Sequence, residues 1–447
     1  MTFTFTRIRA LFHRISNNRI THNVIALYGI QIATYVVPLS VVPYLARVLG
    51  PYNWGLVALA QALGFYVSMV VDFGFQLSGA RKVARLQESR EDIEGTIAGI
   101  MGAKILLAAG CIGTMLVVQL YIPSFRQNSL ILWAGVLSGV GQGFSMLWLY
   151  QGLERMKRSS TVDILAKIAG AVGVFVFVHK AADGWKVLGL QCLFTCAGAF
   201  VLLWMAYRDF SFRFPSGRNI SEALKESASM FLFRSAVSLY TTANALILGA
   251  VATPLAVGFY SGAERIARGV INLTSPVSQS IFPRVSNLVL KDSRKAITLV
   301  RLSLMIMTVF GLVVGTALFV GAPFIVRILL GKGYESAVPV LRILSLLVPS
   351  VALGNVLGVQ WMLPLGMDRQ FNKIIIAAGV INVGLALWWA SRWQHVGMAW
   401  AVSVAEMIVT ILFFVVLIRS GLNPLSDREE LVLRMKPRVN GENWVEI

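Results

Sequence analysis

Polar sequence is what this chain has least of. Only 14% of its 447 residues are charged, against about 25% in an ordinary soluble domain. That shortfall excludes a globular soluble enzyme. Cysteine is scarcer still: Cys111, Cys192 and Cys196 are the only three. All lie in apolar stretches, so they read as small core residues, with no disulfide framework and no metal site. No Walker A, HExxH or CxxC motif occurs. Nothing therefore points to ATP hydrolysis or metal chemistry, and no cofactor is expected. Gly135, Gly139, Gly141 and Gly143 form GxG elements, but no strand precedes them. Their spacing suits close helix packing instead of dinucleotide binding. A long polar loop is missing too: the longest stretch between apolar segments is 208–226. A membrane glycosyltransferase or polymerase would need more polar chain, and carboxylates placed for acid–base work.

What the chain has is apolar length. Hydrophobic residues make up 56% of it, and the mean hydropathy is +0.71. A helix crossing a bilayer needs about 20 apolar residues. Twelve stretches qualify: 24–46, 54–79, 97–121, 129–151, 161–179, 187–207, 227–250, 255–283, 297–320, 337–364, 374–391 and 397–418. The expected fold is an all-α integral membrane protein. Pro38, Pro43 and Pro276 predict kinks or breaks. No cleaved signal is expected at the N-terminus. Residues 1–22 carry four arginines, and Ile8, Leu11, Phe12 and Ile15 follow helical spacing. Two readings stay open for them: a short interfacial helix, or a basic flank that holds the N-terminus inside. Trp148, Tyr150, Trp361, Trp388, Trp389 and Trp393 fall near span ends, as an aromatic belt would; some could instead line a sugar path.

The net charge of +19 is best read against topology. With the N-terminus cytoplasmic, 26 of the 40 Lys and Arg fall on the inner side, 7 on the outer side and 7 within spans. This asymmetry follows the positive-inside rule and places both termini in the cytoplasm. Most of the basic excess is explained by orientation, so no nucleic-acid partner is expected.

The chain also repeats. Val48, Pro51 and Gly55 match Val251, Pro254 and Gly258 at a constant offset of 203 positions, and Arg81 matches Arg284. Both blocks join the first and second helices of a six-helix half. This predicts two lobes, 23–207 and 227–418, related by a pseudo-two-fold along the membrane normal. A cytoplasmic linker, 208–226, would join them, and 419–447 would form a charged tail with no evident fold.

Ionisable residues inside spans are costly and mark transport paths. The basic ones are Lys104, Lys167, Arg234, Arg265, Arg268, Arg301 and Arg342; the acidic ones are Asp72, Asp163, Glu264 and Glu406. Asp163, Arg301 and Arg342 lie close enough to a boundary to snorkel, and Lys167 follows Asp163 by one turn. Lys104, Arg234, Arg265 and Arg268 lie deeper. Glu264 and Arg268 share a helix face, which fits either a satisfied ion pair at a lobe interface or an orienting acid beside an anion-binding arginine. Seven bases against four acids leave cation in excess. Arginine grips phosphate oxygens bidentately and lysine acts as a point charge. The candidate substrate-binding residues are therefore Arg268, Arg265, Arg234, Lys104 and Lys167. Glu264 and Glu406 are the candidate coupling or orienting acids, since desolvation raises a carboxyl pKa.

Several motifs resemble a known family. The stretch 44–85, beginning YLARVLGPYNWG, resembles the opening signature of the polysaccharide-synthesis flippases, the Wzx-type O-antigen and exopolysaccharide transporters. WLYQGLERMK (148–157), FYSGAERIARGVINLTSPVSQSIFPRVS (259–286) and GKGYESAVPVLRILSLLVPSVALGNVLG (331–358) extend the likeness across 20–418. The resemblance implies the multidrug/oligosaccharidyl-lipid/polysaccharide exporter superfamily and two six-helix lobes that work by alternating access. It also implies a cargo of undecaprenyl-pyrophosphate-linked oligosaccharide carried across the inner membrane, no enzymatic step, H+ or Na+ as coupling ion, and a possible complex with a glycan polymerase. Arg265 and Arg268 lie inside the third motif. Residues 419–447 run beyond the family's expected length. A rival reading, an exporter of small cationic drugs on the same architecture, would call for net acid in the cavity.

Overall fold

The structure, a computed structural model, describes residues 19–433 apart from 88, 122 and 428, and side chains mostly from residue 40 onward. Expectations for residues 1–18 and 434–447 lie outside the described residues. No strand occurs among those described. The main helices are α1 (Arg19–Asp72), α2 (Phe75–Arg85), α3 (Arg90–Tyr121), α4 (Ser129–Gly143), α5 (Leu147–Gly152), α6 (Met156–Phe177), α7 (Gly184–Asp209) and α8 (Gly217–Thr241). They continue as α9 (Asn244–Val251), α10 (Pro254–Ile271), α11 (Ser275–Lys291), α12 (Ser293–Leu329), α13 (Ala337–Leu344), α14 (Leu347–Gly354) and α15 (Asp368–Arg419). Eight helical segments among the described residues are long and apolar enough to cross a membrane. Each of the twelve apolar stretches lies largely on helix. Two pairs share one long helix that breaks midway, at Gly50 in α1 and at Gln394 in α15.

The breaks follow backbone chemistry. In α1 the helical dihedrals fail at Gly50 (φ 68°), a left-handed conformation open to glycine, and not at Pro38 or Pro43. Pro51 then opens the second half of the helix, where its missing N–H costs nothing. The matching block behaves alike. Thr253 accepts a hydrogen bond from the Ala256 N–H at 3.3 Å, and Pro254 stands in the first turn of α10. Pro276 likewise falls in the first turn of α11, just past a short 3₁₀ turn, Asn272–Thr274.

The two blocks meet in space. A methyl group on Gly55 would collide with the carbonyl oxygen of Pro254, and one on Gly258 with that of Pro51. The contact is reciprocal at the 203-residue offset, as a two-fold related interface requires. Between apolar helices in lipid, packing and not water exclusion drives association, so small residues that admit close approach carry it. The same device joins α1 to α4, where Gly64, Gly135 and Gly139 leave no room for a Cβ against the facing backbone.

Packing differs at the two ends of the molecule. Near the Pro–Gly crossing one buried core is shared, with Leu45, Trp54 and Leu132 from the first half against Tyr260, Leu330 and Leu344 from the second. Toward the other end the cores separate. One holds Phe75, Ile93 and Trp148; the other holds Val285, Trp361 and Phe413.

Several expectations need correction. Trp148, Tyr150 and Trp361 are buried core residues, not a belt; Tyr150 donates to Leu202 O and the Trp361 indole to Leu422 O. Trp388 and Trp393 are exposed. The stretch 217–226, read as linker, is the first part of α8. The described part of the tail is not unstructured: Leu422 and Leu431 are fully buried in the second-half core. Arg301 donates to the carbonyls of Pro424 and Ser426. Arg342 lies over the Phe319 ring at 5.6 Å.

Candidate functional site

A cavity of about 460 Å3 opens within the first half, with Arg234 and Arg265 reaching it from beyond. Its walls come mostly from the first half: Val41, Val42 and Leu45 of α1, Val162 to Val174 of α6, and Phe194 to Leu202 of α7. Polar groups enter from several elements, Gln142 and Ser145 near the end of α4 and Gln191 and Thr195 of α7 among them. Gln61, Ser68, Asp72 and Gln76 come from the α1–α2 region, Asp163 and Lys167 from α6, and Arg234 and Arg265 from α8 and α10. Its size is typical of small-ligand pockets, about 300–1,000 Å3.

The cations in it differ in how they are balanced. Lys167 is exposed and ion-paired to Asp163 at 2.7 Å, one turn away. Arg234 donates to Asp72 at 2.7 Å. Arg265 meets neutral groups: its guanidinium lies 4.5 Å above the buried Trp54 ring and donates to the Gln61 side-chain oxygen. Among the described residues no carboxylate forms an ion pair with it. The indole face holds the guanidinium by its quadrupole, and Glu264, the preceding residue, acts on it electrostatically without a direct ion pair. Arg265 thus reaches across from the second half into a cavity built largely by the first.

Lys104 does something else. It is fully buried and does not line the cavity. Its ammonium donates to the carbonyl oxygens of Gly143 at 2.7 Å and Ser145 at 3.0 Å, where α4 ends and the chain breaks before α5. A cation suits the negative end of a helix, and carbonyls freed by a break within lipid must find donors. Asp72 lies 3.9 Å away. Lys104 is thus a structural cap, with an electrostatic reach to Asp72. The sequence placed it at depth but could not tell that its donors are occupied.

Arg268 and Glu264 stand apart from the cavity. The Arg268 Nε donates to Glu264 at 2.9 Å, and the Tyr260 hydroxyl donates to the same carboxylate at 3.2 Å. Glu406, partly buried on α15, also acts on Arg268 electrostatically. Nearby, Asn382 donates to the Asn244 side-chain oxygen at 3.2 Å, both residues buried. These groups form a polar network within the second half. The structure brings Lys167, Arg234 and Arg265 to one cavity, and gathers Arg268, Glu264 and Glu406 in another place. Asp72 and Gln61 were not among the predicted site residues. Asp72 was visible as a carboxylate within a span; Gln61, a neutral amide, gave no such signal.

The arrangement can hold an anionic group against an arginine that forms no ion pair among the described residues, between apolar walls. Comparisons with known proteins agree with a membrane carrier fold. A family profile described as "Polysaccharide biosynthesis protein" matches residues 20–289. A protein of Escherichia coli (strain K12) named "Putative O-antigen transporter" is 31% identical over 392 residues, covering 87% of this chain and 94% of that one. One of the same name from Shigella dysenteriae is 26% identical over 405 residues, covering 89% and 97%. Among solved structures, the lipid II flippase MurJ in its inward closed conformation superposes with a TM-score of 0.69 at 13% identity, covering 92% of this chain and 96% of that one. An inward-facing multidrug resistance MATE family transporter of the MOP superfamily gives 0.61 at 15% identity, covering 90% and 99%. At such identities the structural likeness concerns the fold alone. With more than half of its length matched by the profile, the chain is a multi-pass membrane protein that belongs to the polysaccharide biosynthesis protein family.

Proposed function

We propose that this protein is a flippase. It moves undecaprenyl-pyrophosphate-linked oligosaccharide units from the cytoplasmic to the periplasmic leaflet of the inner membrane, for O-antigen, capsule or exopolysaccharide synthesis. It works by alternating access between two six-helix lobes of a twelve-span protein, with both termini cytoplasmic. The reciprocal Pro–Gly crossing supports two lobes, and the shared core beside it supports closure on the periplasmic side. No bond of the cargo changes, so the protein acts as a carrier and not as an enzyme. H+ or Na+ supplies the driving force, and Glu264 and Glu406, flanking Arg268, are the acids placed to couple it.

The observation that carries the reading is Arg265, a cation in the cavity opposed by an amide and an indole instead of a carboxylate. A pyrophosphate oxygen is its natural partner. The sugars follow against the polar groups of α1 and α2, and the lipid stays by the apolar walls. An exporter of cations would not leave this charge facing its cargo.

The test is complementation of an export-deficient strain. Arg265→Ala is expected to lower surface glycan roughly tenfold or more, in line with about 1.5–3 kcal/mol for a charge-assisted hydrogen bond, at unchanged protein level in the membrane. Arg265→Lys keeps the charge but loses the fork and the stacking, and should restore part. Full surface glycan in Arg265→Ala overturns the reading. Loss of cationic-dye export in place of glycan would favour the drug exporter.

A further inference from the structure

The helix α8 runs antiparallel along the first half and is fastened to it by a series of contacts. The Tyr66 hydroxyl donates to Ser238 O at 3.1 Å, and Arg234 bonds Asp72 at 2.7 Å. Phe231 stacks on Phe73 with centroids 4.4 Å apart. The Ser78 and Ser227 hydroxyls meet at 2.6 Å, and Lys82 pairs with Glu226 at 2.9 Å. The chain turns sharply at Phe73 and Gly74, both at positive φ, which aims Asp72 across the seam. Of the two ion pairs in this seam, only Asp72–Arg234 faces the cavity; Lys82–Glu226 faces a separate polar cleft on the far side.

Resting on the flippase reading, we propose that Asp72 occupies the phosphate position of Arg234 in the empty carrier, and that the cargo's pyrophosphate displaces it and so unfastens α8. Three observations carry this. Arg234 holds a carboxylate where it could hold a phosphate, and both offer oxygens that accept from a guanidinium. Asp72 keeps a counter-charge when Arg234 leaves, because Lys104, fixed by Gly143 and Ser145, stays 3.9 Å away. The exchange therefore strands no buried carboxylate, which would be the main cost of breaking such a pair. Around Asp72 the other contacts are single hydroxyls, one aromatic stack, the approach of Met230 to Gly74 and a partly exposed ion pair, and exposed pairs contribute little. The N-terminal part of α8 stays packed on α3, with Asn219 against Gly99 and Ala223 buried, so the release concerns the part of α8 beyond it. A ligand shifts a conformational balance by its differential affinity for the two states, and here the difference lies at one side chain. Cargo lacking the diphosphate would leave α8 docked, so Asp72 also acts as a specificity residue.

The test uses the full-length protein with Cys111, Cys192 and Cys196 replaced by Ala and with Ser78→Cys and Ser227→Cys added, reconstituted in vesicles. Disulfide formation under mild oxidant then reports docking of α8. Asp72→Asn is expected to slow cross-linking roughly tenfold without any ligand, while Asp72→Glu keeps most of it. Polyprenyl pyrophosphate in the vesicles should slow cross-linking in the parent several-fold, inorganic pyrophosphate less, and polyprenol not at all. In Arg234→Gln neither anion should have an effect. Unchanged cross-linking in correctly folded Asp72→Asn, or in the parent with polyprenyl pyrophosphate, overturns the inference; so does an equal response to polyprenol. These readouts stand apart from complementation. A carrier that failed to export glycan could still show the pyrophosphate response, and one that exported glycan could lack it.

Discussion

At Arg265 and Arg268, three positions apart on α10, the same side chain has two different surroundings. Arg265 points to Trp54 and Gln61 and lines the cavity. Arg268 is paired to Glu264, which also accepts from Tyr260. A paired arginine has little charge left for a ligand, so Arg268 is better placed to sense Glu264 than to hold cargo. Glu264→Gln is expected to release Arg268 and to shift the pH dependence of glycan export while leaving head-group binding intact. Arg268→Ala should impair export at least as much, because it leaves two carboxylates, Glu264 and Glu406, without their shared cation. Transport assays in vesicles across a range of imposed pH gradients would check both. If Glu264→Gln exports with unaltered pH dependence, Glu264 only orients its neighbour.

At the scale of the element, the crossing of α1 and α10 depends on two missing methyl groups. Gly55 faces Pro254 and Gly258 faces Pro51, in each case against a backbone carbonyl that has no rotamer to move. Gly55→Ala or Gly258→Ala must push the helices apart. We expect a loss of roughly 1–3 kcal/mol, the usual cost of overpacking, seen as a lower melting temperature in detergent, together with reduced export. Gly110→Ala, on an open face of α3, should change neither. The repeat in the sequence located both glycines; it could not say that they pack on each other, because a matched motif fixes local shape and not its partner. Pro38 and Pro43 illustrate the converse. Proline alone suggested breaks in α1, but the dihedral break came at Gly50, where a left-handed residue precedes a helix-starting proline.

Taken whole, the molecule has a shared core at one end and separate cores at the other. That arrangement suits a carrier closed on one face. Under the proposed flippase reading, a cavity of about 460 Å3 is too small for a whole repeat unit and would have to widen during transport. The topology can be tested directly. Fusions after residue 433 and at 292 are expected to give fluorescent GFP and inactive alkaline phosphatase. Fusions within 331–336 and at 180–183 should give active phosphatase. A phosphatase-active fusion at 292 would invert the proposed orientation.

The sequence by itself determined that this chain lives in a bilayer, that it is helical, and which residues sit at costly depth. Those properties follow from the composition of single segments, since each span must satisfy its own backbone and its own hydropathy. Charge pairing was decided only by the fold. Lys104 meets carbonyls on α4 and α5's approach, 39 and 41 positions away. Arg234 meets Asp72 across 162 positions, and Arg265 meets Gln61 across 204. A count of bases and acids gave the sign of the excess but not its bearer. In low dielectric the contact at hydrogen-bond distance outweighs the tally, and that contact exists only once the helices have crossed.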